Sequence, residues 1–312
     1  MKAIQISEPG GTDKLTYTEL PTPKINNDEV LVQVKAISIN PVDVKSRAGK
    51  GVFGRLKDEL PLILGWDISG VVQEAGSNSG FKKGDEVFGM VNFPGHGKAY
   101  AEYVAAPSSH LALKPANISH SEAAAATLAA LTAYQATVLK ANVQAGQKIL
   151  VHAASGGVGH FAIQIAKHLG AEVTGTSSAK NKDFVLGLGA DHHIDYHGYN
   201  WGESANEYDF IFDTVGGDNI DNSLEVAKSG STLISIPTGL NEAVTEKARV
   251  KGVNGYFFMV SSNGDDMKVI AEWLAKGYIK SHISETFGFN DMALAHEHVE
   301  SGRTVGKVVV TL

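Results

Sequence analysis

The chain has 312 residues, enough for two domains of ordinary size, and its 43% apolar and 20% charged residues give a globular balance. It contains no cysteine, which excludes a disulfide scaffold, thiolate metal centres and a cysteine nucleophile. A net charge of −7 speaks against nucleic acid as a partner, and no uninterrupted apolar run approaches the ~18 residues of a membrane helix.

The opening stretch from Met1 to Glu8 lacks the apolar core of a secretion signal, so a cytoplasmic protein is expected. Residues 1–115 are rich in strand signals. Residues 30–37 combine β-branched density with partial alternation, and 68–72 and 86–91 are further short strands. Turns at 76–84 and 93–97 separate them.

Near Pro115 the pattern changes. Ser119-His120-Ser121-Glu122 has the spacing of a capping box, and the alanine-rich run behind it predicts one helix over 123–141. From Lys148 onward strand and helix signals alternate: strand 148–153, helix 158–169, strand 172–176, helix 180–188, then strands 210–213 and 232–235. That alternation predicts parallel βαβ units. Residues 306–312 read as a last strand, which could return to the first domain.

The most informative segment is 149–159, where a hydrophobic strand runs into Ser155-Gly156-Gly157-Val158-Gly159 and opens an amphipathic helix. This is the context of a dinucleotide fingerprint, with Ala154, Gly156 and Gly159 at its three glycine positions. A glycine lets the backbone approach a pyrophosphate, whose charge the helix N-terminus favours. The plainer reading is a tight strand-to-helix turn without a ligand. The end of the next strand discriminates between cofactors. NAD sites usually carry an acid there. Here Thr176-Ser177-Ser178-Ala179-Lys180-Asn181-Lys182 has none, and hydroxyls with cations suit the 2′-phosphate of NADPH. The alternative is an N-cap followed by a solvated helix face.

These residues form part of a longer series. Asn40-Pro41-Val42-Asp43-Val44-Lys45, Leu64-Gly65-Trp66-Asp67, Gly84-Asp85-Glu86-Val87-Phe88-Gly89 and Ala99-Tyr100-Ala101-Glu102-Tyr103 precede the glycine loop, as does Ala130-Leu131-Thr132-Ala133-Tyr134. Gly189-Ala190-Asp191, Phe212-Asp213-Thr214-Val215-Gly216 and residues 302–309 follow it. Over nearly its whole length the chain resembles the medium-chain dehydrogenase/reductase superfamily, in its zinc-free quinone oxidoreductase and enone (alkenal) reductase branch. The resemblance implies an α/β fold, a Rossmann doubly wound parallel sheet plus a GroES-like β-barrel domain. It places the GroES-like catalytic domain at 1–116 and 284–312 and the Rossmann domain at 117–283. It also implies a homodimer.

Residue by residue, the resemblance matches Lys45, Ser177, Ser178, Lys180 and Tyr196 to positions that contact the adenosine phosphates of NADPH. It matches Gly157 and Val158, with their neighbours Ser155 and Gly156, to the pyrophosphate contact. Thr132 corresponds to a threonine near the nicotinamide ribose, and Ile236 and Phe257 to segments passing the nicotinamide. Residues 256–259 also read as an ordinary buried strand. The positions that the resemblance sets at the catalytic zinc ligands of the alcohol dehydrogenases are Asn40, Trp66 and Leu128, of which Asn40 alone is even a marginal zinc ligand. The histidines offer no substitute. In a strand, His192 and His193 point to opposite faces; His296 and His298 do not share a helix face; His152 reads as a core residue.

Without a metal, the expected chemistry is hydride transfer from NADPH to a quinone or to the β-carbon of an α,β-unsaturated carbonyl. Asn40 is the candidate catalytic group, with a turn role before Pro41 as its alternative. Asp43 is a candidate for orienting the same loop or for capping a helix. Phe53, Trp66 and Tyr100 are candidates for the wall of an apolar pocket, or for plain core packing. The segments 49–60 and 239–251 would tune the substrate. Two other functions fit the same motifs: a non-catalytic NADPH-binding protein, and an alcohol or aldehyde dehydrogenase. No Tyr-x-x-x-Lys pair supports the latter.

Overall fold

Inward side chains on the 11-residue strand Glu29–Ile39 place it at the centre of a seven-stranded sheet. Its neighbours are Asp67–Ala75 and Lys307–Thr311, both antiparallel to it, and Tyr103–Pro107 pairs along its first half. Glu86–Met90 and Leu111–Leu113 extend one side and Ile283–Gly288 the other. A smaller sheet, Thr16–Glu19, Lys2–Ile6 and Leu62–Ile63, lies in the same unit. The last strand therefore does pair with the N-terminal region. Val308, Val309 and Val310 are wholly buried there, each worth roughly 1.5–3 kcal/mol relative to exposure.

The second unit is built on a six-stranded parallel sheet ordered His192–Asp195, Glu172–Ser177, Lys148–Val151, Tyr208–Asp213, Ala227–Ser235, Asn254–Phe257. Numbered along this unit the order is 3-2-1-4-5-6, the dinucleotide-binding order with its crevice beside the first strand. Ile149, Leu150 and Val151 of that strand are buried, as a strand covered on both faces requires. In the helix Gly159–His168 every residue from Gly159 to Ala166 is buried.

The computed structural model describes residues 1–240 and 243–312. Its compact units are Met1–Leu131 with Val260–Leu312, and Thr132–Met259. Two helices outside residues 1–116 and 284–312 pack on the N-terminal sheet. His120–Ala125 lies against Glu29–Ile39 and Asp67–Ala75, and Gly264–Lys276 lies against Leu111–Leu113. Of the segment 239–251, residues 241 and 242 lie outside the described residues, and Val244–Val250 is a helix.

The single helix expected over 123–141 is instead three pieces: His120–Ala125, Leu128–Tyr134, and a wider turn over Gln135–Lys140. The capping box at Ser119 and Glu122 is present. The break has a tertiary cause. The Leu128 N–H donates to the buried carboxylate of Asp67 at 3.0 Å, and the Thr127 hydroxyl turns back to Ala124 O at 2.8 Å. Alanine propensity cannot hold a ladder whose N–H is claimed by a buried anion 61 residues earlier in the chain. The alanines serve close packing instead: Ala124 and Ala125 meet Ala36 and Val309.

Candidate functional site

The first strand of the parallel sheet ends in a loop whose shape depends on two small residues. Ala153 takes a left-handed conformation, φ 45°, and the next turn closes through Gly156 N–H to Ala153 O at 2.8 Å. A Cβ on Gly159 would lie 2.3 Å from Ala153 O and 2.8 Å from Ala154 Cα, so only glycine fits there. The Gly157 and Val158 N–H groups have no acceptor among the described residues. They stand at the start of Gly159–His168, where orphan donors and the helix dipole together suit an anion.

The loop is tied to the end of the second strand. Ala154 N–H donates to Thr176 O at 2.8 Å, Ala153 N–H to Thr176 Oγ1 at 3.3 Å, and Asn181 Nδ2 to Ser155 Oγ at 3.1 Å. Tyr196 N–H reaches Ser177 O at 3.4 Å. Ser155, Gly156, Gly157, Val158, Ser177, Ser178, Lys180 and Tyr196 are thereby brought into one neighbourhood at the carboxyl ends of adjacent strands. Ser178 precedes the turn Ala179–Asn181, yet its side chain makes no capping bond, and Lys180 is exposed. Tyr196 is 51% exposed and stacks on His197. The residues present fit a dinucleotide with a phosphorylated adenosine: orphan N–H groups for the pyrophosphate, hydroxyls and an ammonium for the further phosphate.

Of the residues matched to the nicotinamide end, Thr132 is buried, Ile236 is half-buried, and Phe257 at the last strand is 36% exposed beside buried Phe258. One more group in this region shapes the loop beside it. Asp213 ends the fourth strand, wholly buried, and accepts from Val215 N–H, Gly216 N–H, Asn219 Nδ2 and Ser235 Oγ at 2.8–3.1 Å. It shapes the 214–217 loop, and its sequence signal was an acid at the end of an apolar strand run into glycines. His152 is the core histidine expected, bonded to Thr176 Oγ1 and Ser223 Oγ. Burial pushes its pKa down to about 4, opposed by the charge of Asp213.

The remaining candidates belong to the N-terminal unit. Asn40 caps the helix Pro41–Arg47 and is 2% exposed. Its N–H donates to Asp43 Oδ2 at 2.8 Å, completing a capping box. Its amide donates to Asp67 Oδ2 at 2.8 Å and to Ser38 O at 3.4 Å, and its Oδ1 accepts from Lys307 Nζ. All of the side chain's hydrogen-bonding groups are thus engaged within this unit. Lys307 also donates to Ile39 O at 3.2 Å and lies 3.8 Å from Asp67.

From Asp43 the network continues outward. Arg47 only donates, so His296 Nδ1, 3.2 Å from Arg47 Nη1, must accept, leaving its proton on Nε2. That N–H then donates to Tyr100 Oη, and the Tyr100 hydroxyl donates to Asp43 Oδ1, each at 2.9 Å. Arg47 Nη2 closes the chain on Glu300 at 2.5 Å. Burial, and then the charge of Asp67, raise the Asp43 pKa to about 7 against the bonds from Tyr100 and Asn40. Burial likewise raises Asp67 and lowers Lys307, whose mutual attraction opposes both shifts. Burial and Arg47 hold His296 down at about 3, so it is neutral.

Asp43, Trp66 and Tyr100 have at most 1% of their surface exposed. Trp66 Nε1 donates to Gly95 O at 2.7 Å, and its ring meets Phe93 edge-on. Phe53 is only half-buried, and Lys45 is half-buried on the Pro41–Arg47 helix.

Comparison with known proteins fits this arrangement. Residues 26–116 match the alcohol dehydrogenase GroES-like domain and residues 188–310 match the zinc-binding dehydrogenase model. The chain is 36% identical to 2-methylene-furan-3-one reductase of Solanum lycopersicum, over 99% of this chain and 79% of that protein. The chain belongs to the medium-chain dehydrogenase/reductase superfamily. Its place in the superfamily is the quinone oxidoreductase and enone reductase branch. The chloroplastic NADPH-dependent alkenal/one oxidoreductase of Arabidopsis thaliana is 37% identical over the same shares of each chain. The solved quinone oxidoreductase from Coxiella burnetii superposes with a TM-score of 0.94 at 36% identity, covering 100% of this chain and 99% of the other.

Proposed function

We propose that this medium-chain reductase transfers hydride from NADPH to quinones or α,β-unsaturated carbonyls without zinc. The observation that carries the reading is the acid-free turn Ser177-Ser178-Ala179-Lys180 beside the glycine loop of a 3-2-1-4-5-6 sheet. Relatives named as NADPH-dependent alkenal/one and quinone oxidoreductases support it.

NADPH, when bound, supplies the hydride. The protein supplies placement. Gly157 and Val158 N–H hold the pyrophosphate, and Gly159 lets the helix approach closely enough for them to do so. Ser177, Ser178, Lys180 and Tyr196 hold the adenosine phosphate, and Asp213 fixes the loop at the end of the neighbouring strand. In the N-terminal unit Asn40 acts as a positioning residue rather than a direct donor, since its amide is engaged by Asp67 and Lys307. Phe53 is the pocket-wall candidate with surface to offer. Support for zinc independence comes from the residues: the family resemblance sets Asn40, Trp66 and Leu128 at the ligand positions, and the chain has no cysteine to supply a thiolate.

The test is NADPH oxidation followed at 340 nm with 1,4-benzoquinone, 9,10-phenanthrenequinone, a 2-alkenal, a vinyl ketone and a saturated aldehyde, with NADH and EDTA controls. Turnover of quinones or enones that survives EDTA supports the reading. Loss in EDTA, or reduction of the saturated aldehyde alone, overturns it; NADPH binding without any turnover makes the protein a non-catalytic binder. A homodimer and a cytoplasmic location complete the proposal. Light scattering in solution and cell fractionation test them. No described helix is long and apolar enough to cross a membrane.

A further inference from the structure

We propose that His193 is a positioning residue for NADPH, orienting the Ser177 hydroxyl so that its proton is directed at the 2′-phosphate. The inference rests on the NADPH reading above and adds to it a residue that touches no predicted ligand atom itself. The strand His192–Asp195 pairs in parallel with Glu172–Ser177, setting His193 opposite Gly175 and Asp195 opposite Ser177. From there His193 Nε2 lies 2.8 Å from Ser177 Oγ. The Ser177 hydroxyl has one hydrogen, which it donates to Ser178 O at 3.1 Å. With that hydrogen spent, the bond to His193 requires the imidazole to be the donor, its proton on Nε2. His193 Nδ1 has no partner among the described residues, so the ring is free to take up a second proton.

The consequence is directional. While His193 donates to Ser177 Oγ, the serine hydrogen can point only away from the ring, to Ser178 O or to an anion in its place. A phosphate arriving beside Ser178 and Lys180 has only to draw the serine hydrogen from Ser178 O, since the bond from His193 already excludes the rotamer that faces the ring. NADH, lacking the phosphate, gains nothing from this arrangement.

The same geometry makes recognition pH-dependent. The charged groups facing His193 are Asp195 on its own strand, which favours the imidazolium, and Lys182 on the helix Lys182–Gly187, which opposes it. Glu172 of the adjacent strand is engaged by His192 and Lys148. Burial leads these influences and holds His193 below its ordinary value, so it is neutral at pH 7 in the free protein. A phosphate dianion next to Ser177 favours the second proton and tightens NADPH binding as pH falls.

Two variants separate orientation from charge. Gln at 193 places an amide N–H where Nε2–H stands but never carries a charge; Val supplies neither. Equilibrium binding of NADPH, NADH, 2′,5′-ADP and 5′-AMP is measured by calorimetry at pH 6 and pH 8. His193→Val is expected to weaken NADPH and 2′,5′-ADP about tenfold, the scale of one hydrogen bond in a chain ending on a charged group. Its NADH and 5′-AMP binding should stay within about twofold, which also reports an intact fold. His193→Gln should match the wild type at pH 8 and lose part of the tightening seen at pH 6. The phosphate's own titration is common to both proteins. If His193→Val keeps the full NADPH preference, or if His193→Gln keeps the whole pH response, the inference is overturned. If the wild type itself does not prefer NADPH to NADH, the underlying cofactor reading fails instead.

Discussion

Replacing Tyr100 by Phe removes one oxygen from the middle of the buried chain Arg47–His296–Tyr100–Asp43. The wild-type hydroxyl both accepts from His296 Nε2 and donates to Asp43 Oδ1, and none of the three side chains is more than 2% exposed. No water-filled surface compensates the loss. A hydrogen bond to a charged group is worth ~1.5–3 kcal/mol and a neutral one ~1 kcal/mol. Which value applies depends on Asp43, whose folded pKa is raised to about 7. A carboxyl raised in the folded state contributes most when protonated, and that contribution is lost as pH rises from its unfolded value toward 7. The Tyr100 bond is one of the contacts resisting this rise, so without it the Asp43 pKa climbs further and the loss extends above pH 7. The expected cost is therefore about 1 kcal/mol at pH 5.5 and about 2–3 kcal/mol at pH 8.5. Urea unfolding of both proteins at the two pH values measures it, with unchanged m-values as the check that only stability moved. A cost under about 0.5 kcal/mol, or one that does not grow with pH, refutes the hydrogen-bond directions assigned to this chain.

Other expectations follow from the same contacts. Gly159→Ala forces a Cβ to within 2.3 Å of Ala153 O and should cost ~1–3 kcal/mol in thermal unfolding while weakening NADPH and NADH alike in calorimetry, because the pyrophosphate loop is shared. Lys307→Met leaves Asp67 and Asp43 without their buried cation and should destabilise by ~3–5 kcal/mol, less at pH 5 than at pH 8, by urea titration. His152, held at about 4, must gain a proton on acid unfolding, so its contribution is full above pH 6.5 and lost as pH falls toward 4. His152→Gln should flatten the acid limb of the stability curve by up to about 3 kcal/mol, read by circular dichroism between pH 7 and 4. Lys180→Ala should weaken NADPH several-fold and leave NADH unchanged, measured by the same calorimetry.

The division between what was legible in the chain and what was not follows the range of the forces involved. Strand-to-helix alternation after Lys148, the glycine loop, the capping box at Ser119 and the terminal strand were all readable, because each is set by periodicity or turn chemistry within a window of a few residues. The acid-free end of the second strand was readable for the same reason. The break at Thr127 was not, since alanine content favours one helix and the competing acceptor is Asp67 from a distant strand. Nor was the commitment of Asn40: its local alternatives were a turn or a polar contact, and the partners that engaged its amide come from positions 27 and 267 residues away. The pairing of Ser177 with His193 likewise waited on the register of two parallel strands. Hydrophobic patterning repeats along the sequence and so announces itself, whereas a buried polar bond joins single residues once, and only the packed sheet decides which ones meet.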